Sequence, residues 1–327
     1  MVKFNEIKIN QNKPKNLAIK EGEDLRVFDW NAEGLIDRFL RALDIRANSK
    51  ETYKRGLRQF FTWLKQNRIT SPGREDIIKY KNDLNIKGLS ALTLSGYLVA
   101  VRRFFEWLES IKIYPNIAKQ IRGAKIIKGF RKDPLTVEQT KELLNSIDTS
   151  TLKGKRDFAI INLLVRTGLR TVEVIRANIE DIRQEGGEVV LWIQGKGRDS
   201  KDDFIVLTDF TLRAIQDYLQ ARGKVEDTEP LFTSLSNRNK NQRLTTRIIR
   251  RIVKENLKKI GLNSKHLTAH SLRHTAITLA LNGGATIQEA QILARHSDIN
   301  TTLIYAHNLN RLKTAPERKI DALLGAT

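Results

Sequence analysis

Residues Ala269 to Asn308 decide what kind of chain this is. They open Ala269-His270-Ser271-Leu272-Arg273-His274, pass through an apolar run, and close Ala294-Arg295-His296-Ser297-Asp298 and then Thr301-Thr302-Leu303-Ile304-Tyr305. Gly283-Gly284 stops the first helical pattern, and Thr286 with Glu289 three residues on is a capping box that starts the next. A short helix capped by Asp298 or Asn300 then carries Tyr305. The stretch is helical, with ionisable groups gathered near the helix ends. Well upstream, Thr167-Gly168-Leu169-Arg170-Thr171-Val172-Glu173 adds a second arginine.

Composition narrows the partners. The 327 residues carry 58 Lys+Arg against 37 Asp+Glu, a formal charge of +21. A folded chain with that excess binds polyanions: nucleic acid first, an anionic membrane surface second. No apolar run approaches the roughly 20 residues of a spanning helix. The N-terminus lacks the apolar block of a signal peptide. With no cysteine, disulfides, thiolate catalysis and cysteine-ligated zinc are excluded, which suits a reducing cytoplasm.

Length and pattern predict about two domains. Residues 1–25 are polar and aperiodic, an N-terminal extension. Residues 26–112 read as a helical domain. Its helices are marked by Leu35, Phe39, Leu40 and Leu43, then by Tyr53, Leu57, Phe60, Phe61 and Leu64. Ile77, Ile78 and Leu84 mark a short third helix, and Leu94, Tyr97, Leu98, Val101, Phe104, Phe105 and Leu108 a fourth. The aromatic residues read as core, against a nucleotide-stacking role. The polar faces carry Lys54, Arg55, Arg58, Arg102 and Arg103, candidates for phosphate contact against a merely solvated face. Residues 113–133 form a basic linker with Lys125, Lys128 and Arg131, and no acidic residue from Tyr114 to Lys132. It is either a strap along a duplex or a soluble tether. Residues 134–327 mix helices with β-rich Glu188–Gln194 and Phe204–Leu207, so the fold class is mainly α with a small β-sheet, α+β. Gly195-Lys196-Gly197 lies at the hairpin tip between them.

The residue types point to phosphate chemistry. Attack on a DNA phosphodiester builds negative charge on its oxygens. Two guanidiniums, Arg170 and Arg273, can grip them with paired donors. Glu173, three residues after Arg170 on the same helical face, is a partner for a buried arginine. Without cysteine the nucleophile is Ser, Thr or Tyr, and Tyr305 is the candidate. A tyrosine of pKa about 10 needs a base or a positive field, which His270, His296 and the arginines can supply. Lys196 can protonate the leaving 5′ oxygen. Zinc on His270 and His274, spaced i and i+4, is the rival, but no acidic residue lies between them. His274 reads as a packed helix residue, and His266 and His307 as surface groups or as supports behind the site.

In these motifs the chain resembles the tyrosine site-specific recombinases, the integrase family of phages, transposons and Xer proteins. Thr167–Glu173 matches the family's Thr-Gly-Leu-Arg-x-x-Glu, and Lys196 its hairpin lysine. His270–Thr275 matches His-x-Leu-Arg-His-Thr. Leu293–Ser297 matches Leu-Gly-His-Ser, with Ala294-Arg295 in place of the glycine. Thr301–Tyr305 matches Thr-Thr-x-x-Tyr. The resemblance implies a helical core-binding domain and a catalytic domain closing on DNA as a C-shaped clamp, with a C-terminal tail in 134–327 that docks on a neighbouring subunit. It implies a 3′-phosphotyrosyl intermediate, a Holliday junction, and no cofactor or metal. The partners implied are double-stranded DNA with inverted-repeat sites, a homotetramer on two duplexes, and accessory proteins, all in the cytoplasm. A type IB topoisomerase and a non-catalytic DNA-binding regulator are the alternatives.

Overall fold

A computed structural model describes residues 31–124, 133–195, 197–314 and 316–325. The chain divides into two compact units at 128/129.

The described part of the first unit is four helices: α1 (Ala32–Ala42), α2 (Ala47–Gln66), α3 (Arg74–Ile86) and α4 (Ala91–Ser110). Each apolar stripe turns inward, because only that face removes its side chains from water. The Asn31 side chain caps α1 on the Gly34 amide, and Ser90 caps α4 on the Thr93 amide. Gly56 lets α2 approach α4 closely: a Cβ there would stand 3.0 Å from the Ala100 Cβ. Phe39, Phe60, Phe104 and Phe105 are fully buried, so the aromatic positions are core, as expected. Ile78 is exposed instead.

The second unit is built around α6 (Leu152–Thr167), against which α5 (Val137–Asn145), α8 (Asp209–Arg222), α9 (Thr246–Lys259) and α10 (Ala269–Asn282) pack. A capping box of Thr136 with Gln139 opens α5, and that of Thr286 with Glu289 forms as the sequence predicts. The latter opens α11 (Ile287–Ala294). α7 (Thr171–Arg176) follows α6, and α12 (Asn300–Thr314) packs on α10 and α11. α13 (Pro316–Leu324) ends the described chain.

The sheet is an antiparallel meander of β1 (Ile182–Glu185), β2 (Glu188–Ile193) and β3 (Asp203–Val206). β1 escapes sequence reading because its residues are mostly polar and exposed. Its turn is a pair of glycines that the sequence analysis did not use. Gly186 and Gly187 both have positive φ, 57° and 90°, and Glu185 pairs with Glu188, the two-residue hairpin that glycine favours. The described fold is mainly α with a small sheet.

Candidate active site

Two helix C-termini meet at Arg273. α6 stops at Gly168, whose φ of 62° is left-handed. A side chain there would be strained, and its Cβ would stand 3.4 Å from the Ala276 Cβ. The Gly168 carbonyl accepts from Arg273 Nη1 at 2.6 Å, and the Ala294 carbonyl, last in α11, accepts from Nη2. Both carbonyls lie at helix C-termini, where the backbone carries partial negative charge. Arg273 is 2% exposed and donates to no carboxylate among its described hydrogen bonds. Burial, with Arg170 and Arg295 beside it, pushes its pKa down to about 9, so it remains a cation at neutral pH.

Arg170 and Arg295 share one carboxylate. Glu173 is fully buried. Its Oε1 accepts from Arg170 Nη1 at 2.8 Å, and its Oε2 from the Arg170 amide at 2.7 Å. Arg295 Nη2 also donates to Oε2, at 3.2 Å, and to the Gly168 carbonyl at 3.3 Å. Arg295 ends α11 with φ 51° and ψ 49°, a left-handed conformation that costs most residues but not glycine. Its Nε is buried without a hydrogen-bond partner, and burial lowers its pKa. Three guanidiniums therefore gather near one buried carboxylate, with the more exposed Asp203 also acting on Arg295, and positive charge is in local excess.

Tyr305 reaches this cluster from α12. It is 4% exposed, and its Oη lies 2.5 Å from His274 Nδ1. Burial pushes its pKa up to about 12, with Arg273 pulling the other way. The positive field expected to activate the phenol is thus outweighed by desolvation in this state. The His296 ring stacks on Tyr305 with centroids 6.4 Å apart, and its Nδ1 meets Thr302 Oγ1 at 3.0 Å. Burial, with Arg273, Arg170, Arg295 and His270, holds His296 down to about 4. His270 is exposed and meets His274 edge-on at 4.7 Å.

Comparison with known proteins accords with this geometry. The phage integrase family matches residues 134–311. The phage integrase N-terminal SAM-like domain matches residues 36–112. The tyrosine recombinase XerD of Listeria innocua is 31% identical over 283 residues, 84% of this chain and 93% of its own. The chain belongs to the phage integrase family. It is a tyrosine recombinase, an enzyme of site-specific DNA recombination. A tyrosine recombinase of Synechococcus elongatus is 30% identical over 271 residues, 79% of this chain and 84% of its own. The fold is shared with the XerH site-specific recombinase in a post-cleavage complex on palindromic difH substrate. There the TM-score is 0.69 at 23% identity, covering 87% of this chain and 84% of that one.

The structure brings Arg170, Arg273, Glu173, His296 and Tyr305 of this recombinase together, with His270 joined through His274. Lys196, Lys125, Lys128, Arg131 and the extension 1–25 lie outside the described residues. In the first unit, Lys54 pairs with Asp37 at 3.3 Å, Arg58 with Glu33 at 2.8 Å and Arg103 with Glu106 at 2.9 Å. Arg102 donates to the Ile121 carbonyl at 3.4 Å, and Arg55 is exposed. Among the described residues no helix is long and apolar enough to cross a membrane.

Two site residues escaped the sequence reading. His274, which the sequence pattern assigns to helix packing, contacts the Tyr305 oxygen. Its i+4 spacing from His270 was the available signal, since that spacing puts both rings on one face. Arg295, noted only as a departure from the family motif, is the third guanidinium. Also, α12 has 15 residues, longer than the short helix expected.

Proposed function

We propose that this recombinase cuts each strand of its DNA site with Tyr305, which becomes joined to the 3′ phosphate and frees a 5′ hydroxyl. The hydroxyl of a partner duplex then reverses the step through a Holliday junction within a homotetramer. The ester keeps the bond energy, so no ATP or metal is called for. Arg170 and Arg273 bind the non-bridging oxygens, and His270 and His296 complete the charged wall. Glu173 holds Arg170 in place, and Lys196 protonates the leaving 5′ oxygen. The observation that carries this reading is that Tyr305 packs in one buried cluster with Ala294, the residue whose carbonyl accepts from Arg273. The local excess of positive charge supports it as well. A buried cluster of that sign is relieved by an anion that gains negative charge in the transition state.

Double-stranded DNA is the partner, gripped through phosphates by the basic faces of the first unit and by the basic stretch 113–133. The sequence pattern reads that stretch as a linker, but its Tyr114, Ala118 and Ile121 are buried in the core of the first unit. In α13, Ile320, Leu323 and Leu324 are exposed. An apolar patch of this kind suits docking onto a neighbouring subunit. The test of the chemistry is covalent capture. Wild-type protein incubated with DNA carrying its site yields a denaturant-resistant adduct. Y305F yields none while binding the same DNA. An adduct in Y305F overturns the assignment.

A further inference from the structure

We propose that His274 takes the phenolic proton of Tyr305 during strand cleavage and returns it during resealing. The inference rests on Tyr305 being the nucleophile. It begins with placement. His274 is one residue beyond Arg273 on α10, so while Arg273 turns toward the ends of α6 and α11, His274 turns toward α12. Its Nδ1 lies 2.5 Å from the Tyr305 Oη, with ring centroids 5.3 Å apart and planes inclined by 31°. The other two histidines of the site are set differently. His296 turns its Nδ1 to Thr302 Oγ1 and meets the Tyr305 ring by stacking. His270 lies against the far ring, that of His274.

Protonation agrees with the geometry. Burial, then His270, Arg273 and His296, hold His274 down to about 4. These groups and Tyr305 face it from α10, from the turn after α11 and from α12. At neutral pH the ring is therefore neutral, and a neutral ring with its proton on Nε2 offers Nδ1 as an acceptor. Tyr305 keeps its proton at that pH, so the proton must leave as the bond to phosphorus forms. A base already in hydrogen-bond contact meets that requirement. A phosphodiester arriving beside Arg273 adds negative charge, which raises the basicity of His274 when the proton is to be moved.

The step balances. The Oη–H bond breaks and its proton passes to Nδ1. A lone pair of Oη forms the O–P bond, and the P–O5′ bond breaks with its electron pair on the 5′ oxygen. That oxygen takes a proton from a separate acid, for which Lys196 is the candidate. Resealing runs the same transfers backward.

The test uses the full chain and duplexes selected from a random-sequence pool by covalent capture on the wild-type protein. Single-turnover cleavage is measured on an ordinary phosphodiester and on a 5′-bridging phosphorothiolate, whose sulfur leaves without needing a proton. H274A and H274Q each slow cleavage of both substrates by about 10²- to 10⁴-fold, with DNA affinity and thermal unfolding unchanged. Gln keeps a hydrogen-bond acceptor for the phenol but cannot take its proton, so H274Q separates proton transfer from positioning. Added imidazole restores part of the rate to H274A. Three results overturn the inference: a wild-type rate in H274Q, a defect that the phosphorothiolate relieves, or faster cleavage in H274A. The last would make the contact a latch that holds Tyr305 back. If Y305F also cleaves, the nucleophile assignment has failed. If Y305F is dead and both His274 variants cleave normally, only the proton acceptor has.

Discussion

Both units of this recombinase have an apolar core, and they differ in what is buried beside it. In the first, Phe104 is fully buried among Phe39, Phe61, Phe105 and Trp107, with ring centroids 5.5 to 5.9 Å away. Several of its charges pair outside, as Arg58 does with Glu33. In the second, charge is taken inside: Glu173 and Arg273 are buried, and Arg156 pairs with Asp157 at 2.7 Å beneath the surface. Aromatic packing stabilises the fold whether or not a ligand is present. An unbalanced guanidinium cluster does the reverse: it costs stability in the free chain and becomes favourable when an anion enters. The first unit is built to persist and the second to react.

The largest expected effects cross between the units. Phe104→Ala removes a fully buried ring and costs about 3–5 kcal/mol of stability, while cleavage by the folded protein on saturating DNA is unchanged. Arg273→Met does the opposite. It takes a buried cation out of a site with too many, so stability in urea titration changes little, but cleavage falls by about 10² to 10³. The contrast breaks if Phe104→Ala lowers single-turnover cleavage, or if Arg273→Met unfolds the chain as readily as it disables it.

The same contrast governs what the sequence could reveal. A stripe such as Leu57, Phe60, Phe61 and Leu64 states which face is buried, because burial and helical period are one signal. The four helices of the first unit were legible for that reason. Chemistry at helix ends is less legible. Sequence placed Arg170 beside Glu173 correctly, since an i,i+3 pair is local. It named Arg273 but could not give its partners, two backbone carbonyls from helices far apart in the chain. Nor could it show that Arg295 occupies a left-handed helix cap and reaches the carboxylate of Glu173, because spacing carries no record of φ. His274 was misjudged for a related reason: an ionisable residue on a packed helix is a core histidine or a reactive one according to what the next helix brings to it. Here Tyr305 arrives from α12.

A smaller effect, in pH, follows from the same division. All five histidines lie in the second unit, at 266, 270, 274, 296 and 307. Burial holds His274 and His296 down to about 4, from an ordinary 6.5. Above pH 6.5 both are neutral folded or unfolded, and they contribute no pH dependence. Below it the unfolded chain binds protons at these sites while the folded chain does not, until about pH 4. Stability is therefore lost as pH falls from 6.5 toward 4. Hydrogen exchange resolved by peptide, corrected for intrinsic rates, reads this directly. Between pH 7 and 5 protection drops in α10 and α12 relative to α2 and α4. Equal losses in the two units would mean that the burial of these rings is not what sets the response.

The smallest effect separates a solvated charge from a working one. Arg58 and Glu33 are both more than half exposed, and exposed ion pairs contribute little to stability. Removing either leaves urea unfolding almost unchanged, as the comparison between units requires of charge kept outside the core. DNA binding distinguishes the two variants. If Arg58 exchanges Glu33 for a backbone phosphate, R58A weakens binding across sequences and flattens the dependence of log affinity on log salt by about one unit. E33A frees the guanidinium instead, so it leaves the salt slope intact and does not weaken binding. Should R58A leave the slope unchanged, the basic face of α2 is solvated surface, and the charge that matters to this recombinase lies elsewhere in the chain.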